Sequence, residues 1–383
     1  MRTTFLFLFL TVTIFNYSQV TKTINVGTAG SLSIILTEDE KSTITDLVVT
    51  GTIDARDIKC IRDQIANITT LDLSNSNITA YNGTATSSAT NTYLSNEMPR
   101  SSFYRSGSST SVTNLSSIIL PKSLTSIGDY AFYLCTNIKS IIIGNSITNI
   151  GEYAFEGCFG LNTVFMENSV ISINKEAFGY CSALKNITLS ENISHIGNDA
   201  FYRCSFEKVI LPKSLTTMSN AFRGNSSLTE ITLPASITNF DWCAFQDCPA
   251  LKTIYCLNLT PPTCNESGLA GAPNVTTVYV PAISVNAYKN APIWGTYFYS
   301  KIKAMISSAA QELKVENVKI YSNNSNIVID KTSKGEIVEI FTLNGQLLKN
   351  IESVGDKIVM PAIKNNIYVV RTATKTMKIL VQD

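Results

Sequence analysis

The spacing of one dipeptide constrains this chain more than any other feature. Ala-Phe recurs at 131/132, 154/155, 177/178, 200/201, 221/222 and 244/245. The step is 23 residues except from 200/201 to 221/222, where it is 21, and 222 to 245 restores the period. Around each pair the same unit returns. Leu115-x-x-Ile118-x-Leu120 leads to Leu124, Ile127-Gly128, Ala131-Phe132 and Cys135, and Ile138-x-x-Ile141-x-Ile143 leads to Ile147, Ile150-Gly151, Ala154-Phe155 and Cys158. Self-similarity at a period of 20–50 residues is the mark of a stacked array, because one unit cannot bury its apolar side alone.

Each position in the unit has a physical role. The Leu-x-x-Ile-x-Leu stretch alternates, so it predicts a strand with one buried face. The glycines at 128 and 151 predict tight turns, and Ala-Phe-x-x-Cys predicts a short helical turn with its small, large and small groups facing inward. Successive strands then form one long parallel sheet with coils ~4.8 Å apart. Phe132, Phe155, Phe178, Phe201, Phe222 and Phe245 are predicted to form an internal ladder. In the short coil one residue is missing near Phe206 and another near Ser219.

The chain holds nine cysteines, a number that in an exported protein suggests disulfides. Cys135, Cys158, Cys181 and Cys204 instead follow the repeat, with Cys248 two periods on. Stacked parallel Cβ atoms ~4.8 Å apart exceed the 3.5–4.5 Å that a disulfide requires, so the column reads as buried free thiols. Cys256 and Cys264 stand outside it and can pair with each other, whereas Cys60 and Cys243 have no evident partner.

Before the clear units the pattern thins. Ile44–Val49 and Ile68–Leu73 read as strands, with a helix over Asp54–Ala66 that places Ile58, Ile61 and Ile65 on one side. One looser coil containing Met98, Pro99 and Phe103 fits before Leu120, and the Ser/Thr/Asn-rich residues 75–112 predict a mobile loop. After the units, Val275–Val280 repeats the strand once more, and residues 283–305, with Tyr288 and Trp294, predict an aromatic cap. Past a Ser-Ser-Ala-Ala link at 307–310 come seven short strand patterns between Val315 and Val381, with a hairpin turn at Asn344-Gly345. Seven strands in so short a stretch predict a small β-sandwich. The fold expected is therefore mainly β: a solenoid of ~23-residue coils with a parallel sheet, then the sandwich. Its divisions are 1–18 as a signal peptide, 19–112 as an N-terminal cap and irregular repeats, 113–305 as the solenoid, 306–312 as a linker and 313–383 as the C-terminal domain.

Residues 1–18 carry Arg2, then an apolar run from Phe5 to Phe15, then Ser18 at a plausible cleavage position. The run is shorter than the ~20 residues of a membrane-spanning helix and has the layout of a signal peptide. No cysteine precedes Cys60 to take a lipid at a new N-terminus. Export to the outside or to the outer cell surface follows, with no membrane span.

The repeat from Leu115 to Cys248 resembles the BspA-type leucine-rich repeats, whose mark is Ile-Gly-x-x-Ala-Phe-x-x-Cys-x-x-Leu. Gly51-Thr-Ile-Asp54-Ala-Arg56-Asp57 and Val280-Pro281…Ala287-Tyr288 resemble the ends of that family, so the likeness runs over roughly residues 27–305. It implies a surface protein of the kind implicated in adhesion to host proteins or other cells. Residues 313–383 resemble the C-terminal sorting domains of proteins that Bacteroidetes export by type IX secretion. Val318–Tyr321, Leu343-Asn-Gly345-Gln-Leu347, Ile367-Tyr368-Val-Val and Lys378-Ile-Leu-Val carry that likeness. The Pro-Asn-Pro usual after the first tyrosine is here Ser322-Asn323-Asn324. The resemblance implies contact with the secretion machinery; a β-sandwich tail without a sorting role is the alternative.

The chemistry-bearing residues point away from catalysis. The one histidine, His195, occupies the slot held by Ser126, Asn149, Ser172, Thr217 and Asn239, a variable and exposed position. No catalytic triad, metal-ligand spacing, nucleotide loop or carboxylate pair is found, so no catalytic residue, metal or cofactor is expected. Net charge is +1 with charged residues at 15%, and no basic stripe offers itself to nucleic acid. The Asn-x-Ser/Thr sequons, among them Asn67, Asn77, Asn82, Asn114 and Asn186, are glycan acceptors in a eukaryotic setting, and an Asn-rich composition is the favoured alternative.

Binding has one candidate surface. On each strand the residue between the two inward apolars faces outward, giving Ile119, Ile142, Phe165, Thr188, Ile210, Thr232, Tyr255 and Tyr279. The six apolar members, Ile119, Ile142, Phe165, Ile210, Tyr255 and Tyr279, form the candidate site. The competing explanation is that β-branched and aromatic residues suit any pleated sheet. The expected function is binding of an extracellular protein or glycan in adhesion, and the alternative is a structural surface or matrix component without a specific ligand.

Overall fold

The computed structural model describes residues 19–86, 90–104, 114–241, 243–264 and 273–305. In the C-terminal part it describes 319–323, 326–330, 337–342, 347–353, 355, 357–361, 367–372 and 376–380. The signal-peptide reading of 1–18, the linker at 306–312 and the Asn344-Gly345 turn lie outside these residues.

The repeat folds as a coil with three sides around one apolar core. One side is built of parallel strands such as Ser140–Ile143, Thr163–Met166 and Glu230–Leu233. A narrow side carries two- and three-residue strands, among them Ser126–Ile127, Asn149–Ile150 and His195–Ile196. The third side holds the Ala-Phe segments. Leu, Ile and Val from the two sheets meet Ala and Phe from the third in a single buried cluster from Ile24 to Ile302.

The wide side is not one sheet. It is divided into a four-stranded, a three-stranded and a five-stranded parallel sheet, whereas the narrow side is one continuous eight-stranded sheet. The breaks fall between Ser117–Ile119 and Ser140–Ile143, and between Asn186–Thr188 and Lys208–Ile210. The second break falls at the short coil, which has one residue fewer between Cys204 and Phe206 than the preceding coil has between Cys181 and Leu184.

The Ala-Phe segments are hydrogen-bonded turns rather than helical turns. Two residues per coil have positive φ, the one before Ala and the second after Phe: Tyr130 and Leu134, Tyr153 and Gly157, Glu176 and Tyr180, Asp199 and Arg203, Asn220 and Gly224, Cys243 and Asp247. Left-handed backbone costs a non-glycine residue roughly 1–2 kcal/mol. The return is an inter-coil ladder. The N–H of Tyr130, Phe132 and Leu134 donates to the carbonyls of Glu152, Ala154 and Glu156 in the next coil at 2.9, 2.7 and 2.8 Å. Gly151 itself does not serve a left-handed turn. A Cβ there would lie 2.7 Å from backbone atoms of Asp129 and Gly128, so glycine is required by the close approach of the preceding coil.

The aromatic ladder is displaced by one rung from the sequence expectation. Phe103 heads it, 5.3 Å from Phe132, and stacking continues through Phe155, Phe178, Phe201 and Phe222 at 5.0, 5.1, 5.6 and 5.4 Å. Phe245 leaves the stack. It packs at 6.0 Å and 55° on Phe240, which fills a slot held by Ile or Met in the earlier coils.

Cys135, Cys158, Cys181, Cys204 and Cys248 are free and buried. Each of the last four donates its thiol to the carbonyl of the preceding coil's phenylalanine at 3.1–3.3 Å. In the short coil Asn225 takes the same place, and its Nδ2 donates to the carbonyls of Phe201 and Phe222, both at 2.8 Å. Cys256 and Cys264 form no disulfide with each other; the Cys256 thiol is engaged by the Tyr288 hydroxyl at 3.0 Å.

At the N-terminal end, Thr21–Val26 adds a strand beside Asp46–Ile53, followed by a helix at Ala55–Gln64 and a strand at Thr70–Ile78. The helix begins at Asp54 in a capping box with Asp57, whose buried carboxylate also accepts the N–H groups of Gly30 and Leu32. Within the expected loop, residues Tyr81–Thr84 and Thr90–Tyr93 instead form an antiparallel hairpin. It is held down by Tyr93 packing on Ala55 and Ala85, and by Arg56 lying 4.6 Å over the Tyr81 ring. At the other end, helices at Val285–Asn290 and Pro292–Phe298 bury Tyr288, Trp294 and Phe298 over the last coil.

The C-terminal part consists of antiparallel strands in two sheets. Lys319–Asn323, Asn326–Asp330 and Lys357–Pro361 make one. Leu347–Glu352, Ile337–Thr342, Ile367–Arg371 and Thr376–Leu380, in that spatial order, make the other. Ile327, Ile329, Ile358 and Met360 of the first share a buried cluster with Val338, Ile340 and Val370 of the second.

Candidate functional site

The outward row of the wide side is divided by the two breaks. Ile119 pairs with Asp72 in the first sheet; Ile142, Phe165 and Thr188 pair in the second; Ile210, Thr232, Tyr255 and Tyr279 pair in the third. The candidate row, already interrupted by Thr188 and Thr232, is therefore divided among three sheets.

Phe165 is also not an exposed residue. It is 3% exposed and forms a small buried cluster with partly covered Ile142, apart from the main core. A charge at 165 would be placed in buried surroundings, so this position cannot serve as an open contact. Ile119 and Ile142 are half-buried.

The third group keeps the properties of a contact surface. Ile210 is 58% exposed, and Tyr255 and Tyr279 are half-buried with rings stacked at 5.2 Å and 16°. A neighbouring column adds Lys208 and Glu230, ion-paired at 2.8 Å. Burial, then the Glu230 carboxylate and the Tyr279 phenol, raise the Tyr255 hydroxyl above its ordinary pKa, so it stays a neutral donor. Apolar, aromatic and paired charged groups thus share one face of the five-stranded sheet.

His195 is exposed on the narrow sheet, in register between Ser172 and Thr217. It lines a shallow cavity of about 370 Å³ with Asn198, Thr217, Ser219 and Asn239. Hydroxyls and amides surround the imidazole there, and no carboxylate lines the cavity to orient it as a base. The stacked cysteines are no better placed for chemistry: burial raises their thiols, that of Cys248 to about 12, which keeps them protonated. Among the described residues no group of three or more His, Cys, Asp and Glu is arranged to hold a metal ion, and no helix is long and apolar enough to cross a membrane.

A second surface was missed in the sequence. The turn side carries Tyr104, Tyr130, Tyr133, Tyr153, Tyr180 and Tyr202, all half-buried. Tyr130 stacks on Tyr153 at 4.7 Å, Tyr133 meets Tyr104 edge-on at 4.6 Å, and Tyr180 meets Tyr202 edge-on at 4.9 Å. The signal was present: tyrosine stands directly before Ala-Phe at 130 and 153 and directly after it at 133 and 202. Only the left-handed turn geometry shows that these positions line up on one side.

No curated protein matches the chain. Among solved structures, a leucine-rich repeat protein of T. pallidum is similar at 24% identity, covering 37% of this chain and 71% of its own, with a TM-score of 0.33. A leucine-rich repeat protein from Bacteroides ovatus is 15% identical over 67% of this chain and 88% of its own, with a TM-score of 0.33. A leucine rich cell surface protein from Faecalibacterium prausnitzii is 18% identical over 71% and 83%, with a TM-score of 0.34. The BspA type leucine rich repeat region matches in six copies across residues 108–221 and 198–310, more than half of the chain. With the repeat, the stacked coils and this match in agreement, the chain belongs to the BspA-type leucine-rich-repeat family.

Proposed function

We propose that this protein is an exported, surface-displayed solenoid that binds an extracellular protein or glycan through the outer face of its five-stranded wide sheet. Leucine-rich-repeat proteins of this type are surface proteins often involved in binding, and the family is generally a non-enzymatic scaffold. The observation that carries the reading is the column Ile210, Thr232, Tyr255 and Tyr279, with an open isoleucine and a stacked tyrosine pair in register on an uninterrupted sheet. Tyrosine and exposed aliphatic groups of this kind supply contact area at little conformational cost. The C-terminal strands serve, in this reading, as a sandwich-like sorting domain that brings the chain to the secretion machinery.

The test is binding of the purified protein to arrays of matrix proteins and glycans, beside an Ile210→Asp/Tyr255→Asp variant of matched thermal stability. A saturable ligand that the variant loses supports the assignment. No ligand at micromolar concentration would replace it with a structural role in the surface layer, and a ligand held equally by both proteins would take the binding away from this sheet face.

A further inference from the structure

The turn side follows a pairing rule that one part of it leaves incomplete. In the later coils each tyrosine has a cation from this chain over its ring. Lys175 lies 5.2 Å from the Tyr153 centroid, Arg203 lies 5.7 and 5.2 Å from those of Tyr180 and Tyr202, and Arg223 lies 5.2 Å from that of Tyr202. In the first coils Tyr104, Tyr130 and Tyr133 form a cluster with ring centroids 4.6–6.3 Å apart, and among the described residues no Lys or Arg lies over any of the three. Among the described residues the charged groups that act most on these phenols are carboxylates: Glu156, Glu152 and Asp129 on Tyr130, and Glu156 and Glu176 on Tyr133.

Glu156 is central to this. It is half-buried, it follows the ladder residue Phe155, and among the described residues its side chain makes no hydrogen bond or ion pair. Glu176 in the next coil has Lys175 at 3.8 Å, so it is already partnered. Gly179, the residue equivalent to Glu156 one coil later, has no side chain; a Cβ built there would sit 3.5 Å from Glu156 Cγ. The carboxylate therefore has a residue without a side chain on one flank, and its charge acts on the Tyr130 and Tyr133 phenols. A cation gains from the carboxylate through charge and from the phenols through their negative ring faces.

We propose that Tyr104, Tyr130, Tyr133 and Glu156 form a site for a lysine or arginine side chain of a partner protein, so that the turn side is a second binding surface that reads a basic segment. The chain's own Lys175, Arg203 and Arg223 show the arrangement, and the partner's cation completes it in the coils where no described Lys or Arg lies over a ring. A basic side chain also relieves the cost of holding Glu156 unpartnered in a half-buried place. This surface lies on a different side of the coil from Ile210 and Tyr255, so the two readings stand or fall separately.

The experiment is calorimetric titration of the full-length protein with a hexalysine peptide, and with the same peptide acetylated on every side-chain amine. Glu156→Gln, Tyr133→Leu and Ile210→Asp variants are titrated alongside. The expected result is saturable binding of hexalysine, no binding of the acetylated peptide, and a loss of about tenfold in each of the first two variants. Ile210→Asp should bind as the parent does, which separates this site from the sheet face. Absence of saturable binding to the parent protein overturns the proposal. So does binding that Glu156→Gln and Tyr133→Leu leave unchanged, since that is general attraction of a polycation. A loss confined to Glu156→Gln overturns the aromatic half and with it the site. Should Tyr133→Leu melt differently from the parent, Tyr130→Leu carries the aromatic arm.

Discussion

Removing the ring of Phe178 tests the solenoid at its centre. Phe178 is fully buried, with Phe155 at 5.1 Å and 4° on one side and Phe201 at 5.6 Å and 10° on the other. Phe→Ala at a buried site costs about 3–5 kcal/mol, the larger values arising where the surroundings cannot collapse. Here they cannot, because the backbone of each neighbouring coil is fixed by hydrogen bonds such as Phe155 N–H to the Ala177 carbonyl at 2.7 Å and Phe178 N–H to the Ala200 carbonyl at 2.8 Å. The expected loss for Phe178→Ala is therefore about 4 kcal/mol, read from urea unfolding followed by circular dichroism. For a domain of this size that is a fall in Tm of roughly 8–16 °C. The vacated space is lined by aromatic and aliphatic groups, so benzene should raise the melting temperature of the variant and leave that of the parent unchanged. A loss below about 1.5 kcal/mol, with no response to benzene, would refute the reasoning: the coils would then be closing over the gap rather than being held at fixed spacing.

Gly151→Ala forces a Cβ to 2.7 Å from the backbone of the preceding coil and should cost about 1–3 kcal/mol in the same assay. Gly144→Ala, with nothing within 4 Å, should cost far less. Asn225→Ala strips the Phe201 carbonyl of its side-chain donor and should cost about 1–3 kcal/mol, while Asn225→Cys, the residue used by the other coils, should lose less. Glu156 is raised from 4.5 to about 7, first by burial and then by Glu176, with Lys175 opposing. The folded state therefore holds this proton more tightly than the unfolded chain, and Glu156 contributes a penalty that is absent below pH 4.5 and complete above about 7. Glu156→Gln should raise the melting temperature at pH 8 and leave it unchanged at pH 4; an equal effect at both would show that the carboxylate is not perturbed.

The coil, its period and its inward residues were legible because stacking imposes one environment on each position, so the same residue type returns every 23 residues. The cysteine column and the slot of His195 were read correctly for that reason, and the strand register places Ser126, Asn149, Ser172, His195, Thr217 and Asn239 side by side. What faces outward has no such constraint. Whether Phe165 is open or covered depends on what lies above it, and spacing along the chain carries no record of that. The two breaks in the wide side, the exit of Phe245 from the ladder and the gathering of Tyr104, Tyr130 and Tyr133 likewise arise from contacts between coils. Sequence determined the unit that repeats, because burial acts on every copy alike; the tertiary structure alone decided which surfaces remain open, because that depends on how the copies meet.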